Sequence, residues 1–397
     1  MSDMLEKFKK AVPVLEKIEQ AGFEAYFVGG SVRDALLHRS IEDVDIATSA
    51  FPEEIKQIFP KTIDVGIKHG TVVVIYNGEN YEITTFRTDG EYTDYRRPDK
   101  VTFIRSLQED LKRRDFTMNA IAMTKTGELI DPFSGREDIK NKLIRTVGNA
   151  EERFTEDALR IMRAIRFVSQ LNFRIEQDTY KAIEKYGELL TNISVERIYA
   201  EFQKILVGKS RKQAISLLVE QNLHHYLPKL SGYGQELKQT ADIIHLPIWT
   251  ETEIWAILLI LIDKEPVDGF LRAWKTPLRI IKAVKKIYAV YQLRKEQSWT
   301  KEMVYYNGYD TCISTEKIYS VLHHFPIQQN VQMVKNIWAD LPINSREQLV
   351  ISGYDLMNWA NQKSGPWIKE TLEKIEKAII NKEIDNDKSK IKEWLFP

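Results

Sequence analysis

What most constrains this 397-residue chain is a change of hydrophobic period near Glu151. Upstream, apolar residues fall in short runs bounded by turn formers, as strands require. The runs are Ala25-Tyr26-Phe27-Val28, Val44-Asp45-Ile46-Ala47, Thr71-Val72-Val73-Val74-Ile75-Tyr76, Tyr81-Glu82-Ile83-Thr84-Thr85-Phe86 and Val101-Thr102-Phe103-Ile104. Asn77-Gly78 between the third and fourth predicts a hairpin. Downstream the period is helical, as in Ala158-Leu159-Arg160-Ile161-Met162-Arg163-Ala164-Ile165, with turns near Ser231-Gly232-Tyr233-Gly234 and Ser364-Gly365-Pro366. The expected fold class is an α/β head, a small mixed sheet with helices, followed by an all-α C-terminal half. Such a length exceeds what one core sustains, and we expect segments at 1–150, 151–210, 211–300 and 301–397. All eight tryptophans fall at or after Trp249, which supports a separate C-terminal unit.

The single cysteine, Cys312, excludes an internal disulfide and a cysteine zinc cage, so a metal must sit on oxygen or histidine. Lys plus Arg and Asp plus Glu each number 57, which argues against indiscriminate polyanion binding but not against a local basic face. No run of about 18 apolar residues occurs and the start carries acids, so a cytoplasmic protein with no membrane partner is expected.

Gly29-Gly30-Ser31-Val32-Arg33-Asp34 follows a strand and opens a helix, where bare glycine backbone and a helix N-terminus suit a phosphate. Arg33 adds a forked donor. Next comes Asp43-Val44-Asp45, and strand residues two apart share a face, so both carboxylates can converge on Mg²⁺. Glu82 on a neighbouring strand is the candidate third acid. That set suits two-metal phosphoryl transfer. Singly, Asp-x-Asp and Gly-Gly are ordinary turn signals; in tandem they are specific.

At Glu156-Asp157-Ala158-Leu159-Arg160-Ile161-Met162-Arg163-Ala164-Ile165-Arg166-Phe167, acids begin a helix and arginines recur every third residue. Asp157 only accepts hydrogen bonds and Arg160 only donates them. Cytosine and adenine each offer an amino donor beside a ring-nitrogen acceptor, whereas guanine and uracil offer a carbonyl beside an N–H. One Asp/Arg pair can therefore take C and A and refuse G and U. Arg163 and Arg166 on the same ridge would serve phosphates or an RNA end. Surface ion pairs on an amphipathic helix produce similar spacing.

These segments, in this order, resemble the class II tRNA nucleotidyltransferases, the family of CCA-adding enzymes and bacterial poly(A) polymerases. The glycine turn with Asp43 and Asp45 looks like the first motif, and Arg113-Arg114-Asp115-Phe116-Thr117-Met118-Asn119-Ala120 the second. Asp131-Pro132-Phe133-Ser134-Gly135 through Asp138 resembles the third, Glu156-Asp157-Ala158-Leu159-Arg160 the fourth, and Glu196-Arg197-Ile198-Tyr199-Ala200-Glu201-Phe202 with Lys204 the fifth. The resemblance implies a nucleotidyltransferase head, with Asp115 meeting the ribose and Gly30, Arg33, Arg114, Asp157, Arg160, Arg163 and Arg166 contacting the nucleotide. It implies tRNA, CTP and ATP as partners and leaves a homodimer open. In the fifth motif, Arg197 and Glu201 lie four apart and are expected to pair as a brace.

Within the family, the polar loop from Arg87 to Lys100 resembles the one carried by members that add the terminal A. Val65-Gly66-Ile67-Lys68-His69-Gly70-Thr71 stands where poly(A) polymerases carry a basic stretch, and no His-Asp dipeptide marks a fused phosphohydrolase. Lys275, Arg279, Lys282 and Lys286 are expected to share one helix face that tracks RNA phosphates. Ile351-Ser352-Gly353-Tyr354-Asp355-Leu356-Met357 and Ser364-Gly365-Pro366-Trp367-Ile368-Lys369 resemble a tail that touches the tRNA elbow, while His224-His225 and His323-His324 read as packing or helix-end residues. The leading expectation is template-independent CCA addition. The alternatives are an A-adding enzyme, a poly(A) polymerase, or an inactive RNA-binding protein on the same scaffold.

Overall fold

A computed structural model describes residues 2–66, 69–90, 101–246 and 248–397. They form two compact units, Met1–Pro247 and Ile248–Pro397. The first begins with α1 (Ser2–Gln20), β1 (Ala25–Val28), α2 (Gly30–Leu36), β2 (Asp45–Thr48), α3 (Pro52–Ile58), β3 (Thr62–Gly66), β4 (Thr71–Tyr76) and β5 (Glu79–Thr85). It continues through β6 (Arg87–Asp89), β7 (Val101–Phe103), α4 (Leu107–Lys112), β8 (Ala122–Met123), β9 (Leu129–Ile130), α5 (Gly135–Asn141) and β10 (Leu143–Ile144). The helical remainder is α6 (Ala150–Glu156), α7 (Leu159–Leu171), α8 (Gln177–Tyr186), α9 (Val195–Val207), α10 (Arg211–Glu220) and α11 (Gly234–Ile243), with a short β11 (Arg174–Ile175) after α7.

Seven strands form one mixed sheet in the order β3-β4-β5-β2-β1-β8-β9. β2 and β5 run parallel and place Asp45 opposite Glu82. The five strands read from the period all appear. β3, β8 and β9 were not foreseen, because two-residue strands and an edge strand with exposed Ile63 and Val65 carry no alternation to read. The β4–β5 hairpin turns at Asn77 and Gly78, whose φ values of 51° and 83° are the paired positive angles that match strand twist. Phe27, Ile46, Val72, Val74 and Ile83 are buried, and α1 covers the sheet with Phe8 4.8 Å from the Phe27 ring. Each such burial contributes roughly 1.5–3 kcal/mol.

Two expectations need correction here. The run from Glu156 to Phe167 is not one helix. α6 ends at Glu156, Asp157 is extended (φ −138°, ψ 100°), and α7 starts at Leu159. The Asp157 carboxylate instead turns to accept the N–H of Leu159, the first residue of α7, from an extended backbone that ends α6. Beyond Glu151 the chain is also not wholly helical, since β11 pairs in parallel with β10. Residues 91–100 of the polar loop, with Ile67 and Lys68 of the preceding segment, lie outside the described residues. α7 and α9 pack tightly where Ser169 Oγ donates to Ile205 O at 2.7 Å.

The second unit comprises α12 (Glu251–Ile262), α13 (Val267–Ala273), α14 (Leu278–Glu296), α15 (Lys301–Asn307), α16 (Tyr309–Leu322), α17 (Ile327–Ala339), α18 (Gly353–Ala360), α19 (Pro366–Ile380) and α20 (Lys388–Leu395). Thr250 and Glu253 cap α12 reciprocally, and Lys317 Nζ reaches both Glu253 oxygens at 2.8 Å. Trp255 and Trp274 are fully buried and meet edge to face. Glu316, fully buried, accepts from Arg294 Nε at 2.8 Å, Trp299 Nε1 at 2.5 Å and Ser320 Oγ at 3.2 Å. The four-residue basic face needs correction: α14 begins at Leu278 after Pro277, and Lys275 sits in the preceding turn at φ 55°. Arg279, Lys282 and Lys286 do lie exposed on α14. His224 is buried, whereas His323 ends α16. Burial holds the Cys312 thiol up at about 12. Among the described residues no helix is long and apolar enough to cross a membrane.

Glu316→Ala should strip Arg294 and Trp299 of their acceptor and destabilise the second unit by about 3–5 kcal/mol. Denaturant titration followed by tryptophan fluorescence reads this unit alone, and an unchanged midpoint would contradict it. A Cβ at Gly208 would lie 2.0 Å from Ser169 Oγ and 2.8 Å from the Ser169 carbonyl oxygen. Gly208→Ala should therefore cost about 1–3 kcal/mol through overpacking, visible as a lowered Tm by circular dichroism.

Candidate active site

β1 delivers the chain to Gly29, whose φ of 69° and ψ of −134° a side chain would strain. A Cβ there would also lie 3.1 Å from Arg114 Nη1 and 3.5 Å from Asp45 Oδ2. Glycine thus lets a cation and a carboxylate close around bare backbone. Ser31 Oγ ties the turn down by donating to Val28 O at 2.9 Å. Arg33, on α2, donates to Asp34 and, from Nη1, to Asn119 Oδ1 at 2.7 Å.

Asp45 opens β2, and Asp43 lies exposed just before the strand. The Asp45 carboxyl is held above its usual range. Burial is the main cause; Arg114 and Arg33 pull it down, while Glu82 and Asp43 push it further up. Glu82 is exposed on β5 directly beside Asp45. Among the described residues no three Asp, Glu, His or Cys side chains are drawn into a ready cation cage.

The second-motif residues sit at the end of α4 and beyond. Buried Asp110 accepts from Arg113 Nε and Arg114 Nη2, both at 3.1 Å. Burial alone would raise its carboxyl, but Arg114 and Arg113 bring it below the usual value. Asp115 is opposed by burial too. Arg163 and Asn119 nevertheless hold it at about 2, with Arg160 adding to the effect. It accepts from Arg163 Nε at 2.7 Å, Asn119 Nδ2 at 2.9 Å and Phe116 N at 2.9 Å.

Asp157, at the joint between α6 and α7, accepts from Arg197 Nη2 at 2.7 Å and Leu159 N at 3.1 Å. Arg160, nearly buried, donates to Glu156, Arg153 O and Arg113 O. Those bonds use three of its five N–H donors, leaving Nε and one Nη2 hydrogen. The expected Arg197–Glu201 brace is distributed otherwise: Arg197 steadies Asp157, and Glu201 lies 2.7 Å from Arg166 Nε. Burial and Arg163 lower the Arg166 guanidinium to about 10. Arg33, Arg163 and Arg166 all stand over the Phe167 ring, at 5.1, 5.8 and 4.3 Å.

Gly30, Arg33, Asp45, Arg114, Asp115, Asp157, Arg160, Arg163 and Arg166 thereby line one cleft of about 620 Å³. Arg87, Arg113, Asn119, Phe167 and Arg197 line it too and were not foreseen as site residues. Their only sequence signal was membership of the second, fourth or fifth motif, or adjacency to the polar loop. Asp43 lines an adjoining cleft of about 400 Å³ that shares Gly30, Arg33, Asp45 and Arg166 with the first. Eight arginines against three aspartates make the main cleft an anion site. Lys275, Arg279, Lys282 and Lys286 belong to the other unit and line neither cleft.

Residues 25–145 match the Poly A polymerase head domain, 172–233 a model described as an RNA and SrmB binding site of polymerase A, and 246–395 tRNA nucleotidyltransferase domain 2. The CCA-adding enzyme of Geobacillus sp. strain WCH70 is 49% identical over 99% of this chain and 98% of its own length. That of Listeria monocytogenes serotype 4b strain CLIP80459 is 49% identical over 99% of each. The crystal structure of the Bacillus stearothermophilus CCA-adding enzyme in complex with CTP superposes with a TM-score of 0.88 at 45% identity, covering 98% of this chain and 96% of that one. Sheet, cleft and full-length similarity agree: the chain belongs to the CCA-adding enzymes, the nucleotidyltransferases that add CCA to tRNA.

Proposed function

We propose that this cleft performs CCA addition with CTP and ATP by metal-assisted nucleotidyl transfer, Asp43 and Asp45 holding divalent ions and Asp157 with Arg160 choosing the base. One observation carries the reading: a single cleft is lined by Asp45, by Asp157 and Arg160, and by seven further arginines. The acids fit a hard cation. Asp45 is raised by burial and by Glu82 and Asp43, a strain that a divalent ion would relieve with oxygen ligands. Mg²⁺ suits such carboxylates, with Glu82 as the third candidate. When bound, it would lower the barrier to attack by the RNA 3′-hydroxyl and neutralise the departing pyrophosphate.

The chain's own groups do the rest. Arg33, Arg114, Arg163 and Arg166 offset the triphosphate charge, and bare backbone at Gly29 and Gly30 allows close approach. Asp157 retains acceptor lone pairs beyond those given to Arg197 and Leu159, and Arg160 retains two donors. An amino group beside a ring nitrogen satisfies both; a carbonyl beside an N–H would face Asp157 with an oxygen and Arg160 with a hydrogen. Unpaired polar groups in a closed site are costly, so the mismatch discriminates. In this reading residues 1–150 are the catalytic head, 151–210 the nucleotide-selecting neck, and 211–300 and 301–397 hold the RNA, with Arg279, Lys282 and Lys286 against phosphates.

Asp45→Asn should lower CMP and AMP incorporation into tRNA lacking its 3′ end by at least about a thousandfold, while filter binding of tRNA changes little. Retained transfer would remove the metal assignment. Arg160→Ala should erode the preference for CTP and ATP over GTP and UTP by about tenfold or more. A variant that still refuses GTP and UTP would show that Arg160 does not read the base.

A further inference from the structure

We propose that Asp110 is a positioning residue for nucleotide binding, a buried charge outside the cleft that fixes the Arg114 guanidinium at the glycine turn and keeps it off Asp45. The inference rests on Arg114 meeting the triphosphate as read above. Asp110 is 1% exposed and does not line the cleft, yet three residues that do line it meet its carboxylate. Oδ1 accepts from Arg113 Nε at 3.1 Å and from the Arg87 backbone N–H at 3.3 Å, and Oδ2 accepts from Arg114 Nη2 at 3.1 Å. Helical spacing makes this possible. Positions 113 and 114 are three and four beyond Asp110 at the end of α4, where side chains so spaced are neighbours.

Arg114 has few other restraints. Its Nε is buried without a hydrogen-bond partner, and its Nη1 makes a long bond of 3.4 Å to Asn119 O. Among the described residues Asp110 is the one carboxylate it is bonded to. With Nη2 held, Nη1 stands at Gly29, where a Cβ would lie 3.1 Å from it and 3.5 Å from Asp45 Oδ2. Arg114 thus flanks the same bare backbone as Asp45. Burial raises the Asp45 carboxyl, and Arg114 is the foremost cation drawing it down. Two acids therefore compete for one guanidinium. Burial opposes the charge on Asp110 as well, but Arg114 and Arg113 hold its carboxyl below the usual range, so it is ionised at neutral pH. While Asp110 occupies Nη2, Nη1 keeps a second hydrogen for a phosphate oxygen. A neutral side chain at position 110 would release Arg114 to Asp45, and one shift would cost the nucleotide both groups.

Asp110→Asn keeps the shape and loses the charge, whereas Asp110→Ser loses charge and volume together. The full chain is assayed with tRNA lacking its 3′ end, each variant alone and combined with Arg114→Ala, with the fold followed by circular dichroism melting. Either substitution should lower kcat/KM for CTP by about tenfold and leave KM for tRNA unchanged. Combined with Arg114→Ala, neither should lower it further, because the group through which Asp110 acts is already gone. A packing role would instead multiply the two losses, and that result refutes the coupling, as would wild-type kcat/KM for CTP in both single variants. Loss of the melting transition in both would make Asp110 a folding determinant and overturn the proposal too. Should Arg114→Ala itself leave kcat/KM for CTP unchanged, the reading of Arg114 fails and the inference with it; a refuted coupling leaves that reading standing.

Discussion

The site depends on one buried anion. Asp115 carries its charge at 8% exposure, where an unpaired carboxylate would be costly. It is sustained by Asn119 from its own loop and by Arg163, whose bond ties α7 to the segment after α4. Remove the charge and Arg163 loses its partner. The neighbouring pairs follow the same logic: Asp110 takes Arg113 and Arg114, Glu201 takes Arg166, and Asp157 takes Arg197. Each acid lets an arginine stand in a low-dielectric cleft without one guanidinium expelling the next.

Such pairing explains how eight arginines can line a cleft of about 620 Å³ before any anion arrives. Paired guanidiniums are held in place before any anion binds. Preorganisation of this kind means that little reorganisation is needed when a triphosphate binds. Phe167 contributes from beneath, presenting its ring to Arg33, Arg163 and Arg166. Gly29 supplies the remaining condition, because a side chain there would separate Arg114 from Asp45.

Much of this was legible in the residues. The period change near Glu151 foretold a sheet followed by helices, and Asn77-Gly78 foretold its hairpin. The family motifs, which cover roughly the first half of the chain, foretold membership of the CCA-adding enzymes, and the similarity extends over the full length. Where local reading failed, a long-range or capping interaction had decided the outcome. Asp157 interrupts what looks like one helix because its carboxylate serves Leu159 and Arg197. Arg197 and Glu201 are suitably spaced to pair, yet each has a partner on another helix or joint. Lys275 has helical spacing to Arg279 but falls before Pro277.

By itself, the sequence determined the chemical inventory and the order of elements. Donor-only arginines, acceptor-only aspartates and glycines free of side chains are properties of residues, and periodicity is a property of their spacing. Only the tertiary structure decided which donor meets which acceptor. Arg33 and Asn119, and Asp115 and Arg163, lie 86 and 48 positions apart. Hydrogen bonds of this reach are set by sheet register and helix packing, which bring together charges that no local pattern could have paired.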